Sequence, residues 1–122
     1  MKLRCTPNSI RIRIRKTALQ TLENASRVEG TILFPNGQKL IYGLEIREEV
    51  GALQAHFQDG VIMIYIPTDM AQNWIGTDLV GLETAQGLPN GQQLQLLIEK
   101  DFPCRHQTPE ENTDTFRELA AK

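Results

Sequence analysis

Glu99, Asp101, Cys104 and His106 fall within eight residues of one another, the densest grouping of metal-capable side chains in the sequence. Thiolate, imidazole and carboxylate together are a ligand set for zinc or another divalent ion. On an extended strand Glu99 and Asp101 point to one side. Cys104 and His106 share a side only if the strand continues through Pro103, which has no N–H for a ladder. No second Cys-x-x-Cys or His-x-x-x-His arm joins them, and the other histidine, His56, lies far off in the sequence. The competing expectation is a buried free thiol at Cys104 beside a solvated His106. As a nucleophile Cys104 would need a lowered pKa, which Arg105 or His106 could supply, together with an orienting group and an oxyanion donor that have no candidate. Gly37-Gln38-Lys39 and Gly91-Gln92-Gln93 fit no phosphate-binding pattern. The expectation is a protein without a cofactor and not an enzyme.

The second chemical candidate is cationic. Ser9-Ile10-Arg11-Ile12-Arg13-Ile14-Arg15 alternates strictly, so a strand there puts three isoleucines on one face and three arginines on the other. With Arg4, that row could track a phosphate backbone. It also suits a solvated outer face, where arginine stems cover apolar neighbours.

These residues are positioned by elements that occur twice. Ile62, Ile64 and Ile66 repeat the spacing of Ile10, Ile12 and Ile14 at an offset of 52, and Pro89-Asn90-Gly91 repeats Pro35-Asn36-Gly37 at an offset of 54. Asn-Gly between apolar runs signals a hairpin. Strand-like runs span 28–34 and 39–46 in the first half, and 79–85 and 94–99 in the second. A leading strand precedes each half, at 2–5 and 53–57. Thr17, with Gln20 three residues later, predicts a capped helix carrying Ala18, Leu22 and Ala25 on one face. After Thr68-Asp69, Met70, Ala71, Trp74 and Ile75 predict a second helix with Gly76 as its C-cap. Each unit reads β-β-α-β-β, over 2–47 and 52–100, and neither buries its apolar face alone. The expected fold is therefore β-dominated α+β: a tandem pair of units closing one barrel, a single domain over 1–102. An acidic tail over 103–122 follows, with a short helix from Thr115 in which Phe116 is apolar.

Asn8-Ser9 before an alternating strand, then a helix after Ile66-Pro67 and a hairpin, resembles the swapped-hairpin barrels of the AbrB and MazE antitoxin class. In that class basic residues on the first strands face DNA, which would implicate Arg4, Arg11, Arg13 and Arg15 here. A closer resemblance runs over nearly the whole chain. Asn8-Ser9-Ile10-Arg11, Asp78-Leu79-Val80-Gly81-Leu82-Glu83 and Ile98-Glu99-Lys100-Asp101-Phe102-Pro103-Cys104 are similar to a small bacterial family of unknown function, from which this chain departs after Phe116. That resemblance implies kinship and no activity.

A two-fold DNA reader needs its basic row twice. The second unit has Val61, Met63 and Tyr65 in place of the arginines, so its strand is apolar on both faces. Charge is divided likewise: residues 1–50 hold nine Lys/Arg against five Asp/Glu, and residues 51–122 hold four against ten. An exposed Val61/Met63/Tyr65 patch would mark a contact surface for the C-terminal tail, a second copy or another protein. With two cysteines and no apolar run of membrane-spanning length, a cytoplasmic protein without membrane contact is expected. Three readings stand. The first is a non-catalytic interaction module, self-associating as a homodimer or binding another protein through Val61, Met63 and Tyr65. The second is a DNA-binding regulator using Arg4, Arg11, Arg13 and Arg15. The third is a metal-binding protein using Glu99, Asp101, Cys104 and His106.

Overall fold

The computed structural model describes residues 1–101. Ten elements follow in the order β1 (Lys2–Thr6), β2 (Ser9–Ile14), α1 (Lys16–Ala25), β3 (Arg27–Leu33), β4 (Lys39–Arg47), β5 (Gln54–Gln58), β6 (Val61–Pro67), α2 (Thr68–Gly76), β7 (Gly81–Gly87) and β8 (Gln93–Lys100). The β-dominated α+β class expected from the sequence is what the chain adopts. Cys104, His106, Phe116 and the expected tail helix lie outside the described residues. Among the described residues no helix is long and apolar enough to cross a membrane.

The strands form two four-stranded sheets, ordered β1-β2-β8-β7 and β3-β4-β6-β5. Each sheet takes one hairpin from each half of the chain, and each central pair crosses between halves. β2 runs parallel to β8, with Ile12 opposite Ile98 and Ile10 opposite Leu96. β4 runs parallel to β6, with Leu44 opposite Ile64 and Ile46 opposite Ile66. Ile64 lies 52 residues after Ile12 and Ile98 lies 54 after Leu44, so the two parallel pairs occupy equivalent places in the two halves.

Alternation decides which face is buried. Ile12, Ile14, Leu96 and Ile98 from one sheet meet Leu44, Ile64 and Ile66 from the other in a single cluster, joined by Leu22 of α1 and Ala71 and Trp74 of α2. Burying such side chains stabilises by about 1.5–3 kcal/mol each. The Trp74 indole N–H is satisfied by the Val80 carbonyl at 3.0 Å. Among the described residues no buried side-chain nitrogen or oxygen is left without a partner.

The two Asn-Gly turns are built alike. Asn36 Oδ1 accepts from the Gln38 N–H and Asn90 Oδ1 from the Gln92 N–H, both at 3.0 Å. Gly37 and Gly91 take φ of +85° and +83°, the left-handed region where glycine carries no steric penalty. The helix ends differ from expectation. α1 begins at Lys16 with extended Arg15 in the cap position and no side-chain cap, so Thr17 lies inside the first turn. α2 includes Gly76, and Thr77, in extended geometry, is the residue that ends it.

Two unlike links join one sheet to the other. The Gln86 side chain on β7 accepts from the Ala55 N–H of β5 at 2.9 Å and donates to the Ala55 carbonyl at 3.4 Å, so it occupies edge-strand groups as another strand would. Tyr42 on β4 reaches across β3 and donates to the Met1 carbonyl at 3.1 Å. Gly30 makes that reach available: a Cβ there would lie 2.8 Å from the Tyr42 ring.

Candidate functional site

Residues with side chains pointing away from the core carry the candidate chemistry. On the β1-β2-β8-β7 sheet, Arg11 and Arg13 both face out, and both turn onto Glu99 of the adjacent β8. Arg13 Nε donates to Glu99 Oε1 at 2.7 Å, Arg11 Nε donates to it at 2.9 Å, and Arg11 Nη2 donates to the same oxygen. The parallel register sets this up, placing Arg13 directly opposite Glu99 and Arg11 opposite Leu97. Burial pushes the Glu99 carboxyl upward, but the hydrogen bonds from Arg13 and Arg11 and their charges outweigh it and hold the group below its ordinary value. Arg15 is exposed and lies 3.7 Å from Asp101. Arg4 is exposed on β1, opposite Arg11. The four arginines therefore share a sheet face or its margin, but the two central ones are neutralised within the fold.

That geometry also bears on the metal candidates. The Glu99 carboxylate faces guanidinium groups, and Asp101 is beside Arg15. Among the described residues no three His, Cys, Asp or Glu side chains come together as a ligand group.

The outer face of the second sheet departs from expectation. Met63 is 3% exposed and lies outside the core cluster, on a strand flanked in register by Gly43 and His56. Its half-buried neighbour Tyr65 is stacked with His56 at 6.0 Å between ring centroids and has the Arg47 guanidinium 4.0 Å from its centroid. Val61 is half-buried and in register with Ile41. Glu45 binds Arg47 and, at 2.6 Å, Arg27. Burial raises the Glu45 carboxyl, and the hydrogen bonds from Arg47 and Arg27 reverse that to a net lowering. Of the three expected contact residues, Met63 is buried, Tyr65 is engaged by His56 and Arg47, and Val61 stays half-open.

Exposed apolar surface appears instead at the hairpin end of the same sheet. Leu33 is 77% exposed, Phe57 67%, Phe34 46% and Ile32 42%. Register connects the inner-face members: Ile32 is opposite Leu40, and Tyr42, two residues further along β4, is opposite Ile62, which is opposite Phe57. The equivalent positions of the β7–β8 hairpin hold Gln86, Gly87 and Leu88, so the two hairpin ends differ in chemistry despite matching turns.

A family model described as a family of unknown function (DUF7009) matches residues 1–119. The chain belongs to that family. No curated protein and no solved structure matches it. Membership bears out the kinship implied by the Asp78–Glu83 and Ile98–Cys104 stretches, and the family brings no assigned activity.

Sequence reasoning missed the hairpin end. Thr31-Ile32-Leu33-Phe34 reads as an ordinary strand run, and the missing signal was its length: the pairing needs only Arg27–Leu33, and alternate residues near a strand end outlast the core they face. It also missed that Glu99 and Arg11 would meet, since they stand 88 positions apart.

Proposed function

We propose that this family member is a non-catalytic interaction module of the cytoplasm, built from two interlocked β-β-α-β-β units that close one barrel. The matched registers of β2 with β8 and β4 with β6 support the two-unit reading, as do the links Gln86–Ala55 and Tyr42–Met1 at the sheet margins. The contact surface is the apolar end of the β3–β4 hairpin, at Ile32, Leu33 and Phe34. One observation carries this: Ile32, Leu33 and Phe34, three consecutive large apolar side chains, are all exposed where β3 ends, Leu33 by 77%. Contiguous exposed apolar surface on a small domain marks a contact site.

A photo-cross-linking side chain placed at Leu33, in cells producing the full chain, tests this. Discrete adducts of defined mass are expected. Recovery of the chain without any adduct refutes it.

A further inference from the structure

We infer that the outer face of the β1–β2 hairpin binds a dianionic phosphoryl group, held between Arg4 and Arg11 with Lys2 beside them. This face lies on the other sheet from the β3–β4 hairpin end and does not depend on the interaction reading. Alternation sends Lys2, Arg4 and Thr6 of β1, and Ser9, Arg11 and Arg13 of β2, to the same outer face. Register pairs them across the hairpin as Lys2 with Arg13, Arg4 with Arg11 and Thr6 with Ser9. All six side chains can donate hydrogen bonds and none carries a negative charge. Like charges directly opposite in a ladder are destabilising, so the Arg4–Arg11 pair works against the fold unless an anion lies between them. The Glu99 carboxylate serves Arg11 and Arg13 together. It takes only Nε and Nη2 of Arg11, leaving Nη1 unbonded among the described residues. Lys2 and Arg4 are exposed and take part in no ion pair among the described residues. Two positive charges thus stand unmatched, which a phosphoryl dianion balances and a single carboxylate does not. The other acidic side chain on the strands of this face, Glu83, is on β7, beyond Leu97 of β8.

The second unit supplies an internal comparison. At an offset of 52, Lys2, Arg4, Arg11 and Arg13 correspond to Gln54, His56, Met63 and Tyr65, paired in the same register. Neither β5 nor β6 holds a lysine or arginine, and His56 stacks with Tyr65 under Arg47 instead. Arg27 and Arg47 on the flanking strands are matched by Glu29, Glu45 and Glu49. One backbone plan therefore carries a self-satisfied face in one copy and a cationic face in the other. Strand spacing sets the size of the ligand group. The Cβ atoms of a directly opposite pair lie about 4.5–5.5 Å apart, so the Arg4 and Arg11 guanidinium groups can close on one tetrahedral oxyanion.

Inorganic phosphate added to the full chain at constant ionic strength should move the amide resonances of β1 and β2 along saturating curves. Glycerol phosphate separates the sources: tighter binding than inorganic phosphate identifies an organic phosphate ester, and equal or weaker binding identifies free phosphate. Arg4→Gln and Lys2→Gln should each weaken binding about tenfold. Lys39→Gln, which removes an exposed cation of the other sheet, should bind as the wild type does. Arg4→Gln should melt no lower than the wild type in phosphate-free buffer, because it removes a like-charged pair. That readout separates lost binding from lost folding. Shifts that sodium chloride reproduces, that spread over the exposed cations of both sheets, or that survive Arg4→Gln overturn the inference. An Arg4→Gln chain that melts clearly lower would give Arg4 a structural role and overturns it too.

Discussion

Glu45 and Glu99 stand at matching places, one on β4 and one on β8, each as the carboxylate that gathers arginines on the outer face of its sheet. Their donors come from different directions. Glu99 draws Arg11 and Arg13 from the parallel neighbour β2, while Glu45 draws Arg47 from its own strand and Arg27 from the antiparallel neighbour β3. Where Arg13 faces Glu99, Tyr65 faces Glu45 and stacks under Arg47. One carboxylate position thus serves two surroundings.

Glu99→Gln should destabilise the protein. The amide keeps the shape but removes the carboxylate charge that Arg11 and Arg13 share. The loss should be about 1–2 kcal/mol, below that of a fully buried pair because both arginines retain some solvent. A thermal melt should therefore drop by several degrees, and an unchanged melting temperature would show that the cluster contributes nothing.

The same two carboxylates set the acid response. Both are held below their ordinary values when folded, so their contribution is complete above the unfolded carboxyl range, about pH 4.3, and fades as pH falls through the lowered folded values. Melting temperature should be nearly level from neutral pH to about 5 and decline below about 4. Glu99→Gln should flatten that acid limb. A variant as acid-sensitive as the wild type would assign the response to other groups.

Gly30→Val should destabilise the fold through one identifiable side chain. Its Cβ falls on the Tyr42 ring at 2.8 Å and would displace the hydroxyl from the Met1 carbonyl. An expected cost of about 1–3 kcal/mol follows from overpacking. Tyr42→Phe should lose only the hydrogen bond, about 1 kcal/mol. Gly51→Ala, with nothing within 4 Å of the added Cβ, is the control and should melt like the wild type.

Much of this architecture was legible because its signals are local. Alternating isoleucines announce which face of β2 and β6 is buried, and Asn36-Gly37 and Asn90-Gly91 fix two hairpins through the φ that glycine tolerates. Side-chain periodicity assigns a face and is silent about partners. So Arg11 and Arg13 read as a free cationic row until β8 delivers Glu99 beside them, and Tyr65 reads as open until His56 and Arg47 close on its ring. The cap of α1 lies two residues before the expected Thr17 for a related reason. Thr17 has the composition of a cap, but the chain enters the helix directly from extended Arg15, and the Thr17 carbonyl accepts from the Thr21 hydroxyl inside the helix.

Duplex DNA should bind this chain weakly at most. With Arg11 and Arg13 held on Glu99, Arg4 and Arg15 are what the arginine row can offer a phosphate backbone, and two contacts give a shallow salt dependence. Fluorescence anisotropy with a mixed duplex pool at low salt should stay near baseline. Tight binding that collapses steeply with added salt would reinstate the regulator reading.

Separate polypeptides covering residues 1–50 and 51–122 should each fail to fold alone and should regain cooperative melting when mixed. β2 and β4 find their parallel neighbours only in the other half. Circular dichroism of the two pieces, alone and combined, measures this. A first half that melts cooperatively by itself would show that it needs no counterpart.

The crossed pairing of β2 with β8 also imposes an order on biosynthesis. β8 is the last strand among the described residues and lies inside its sheet, between β2 and β7, so the β1–β2 hairpin, synthesised long before it, waits for Gln93–Lys100 before its open edge is closed. During translation that edge, with Ile10, Ile12 and Ile14 uncovered, is what a nascent-chain chaperone would meet.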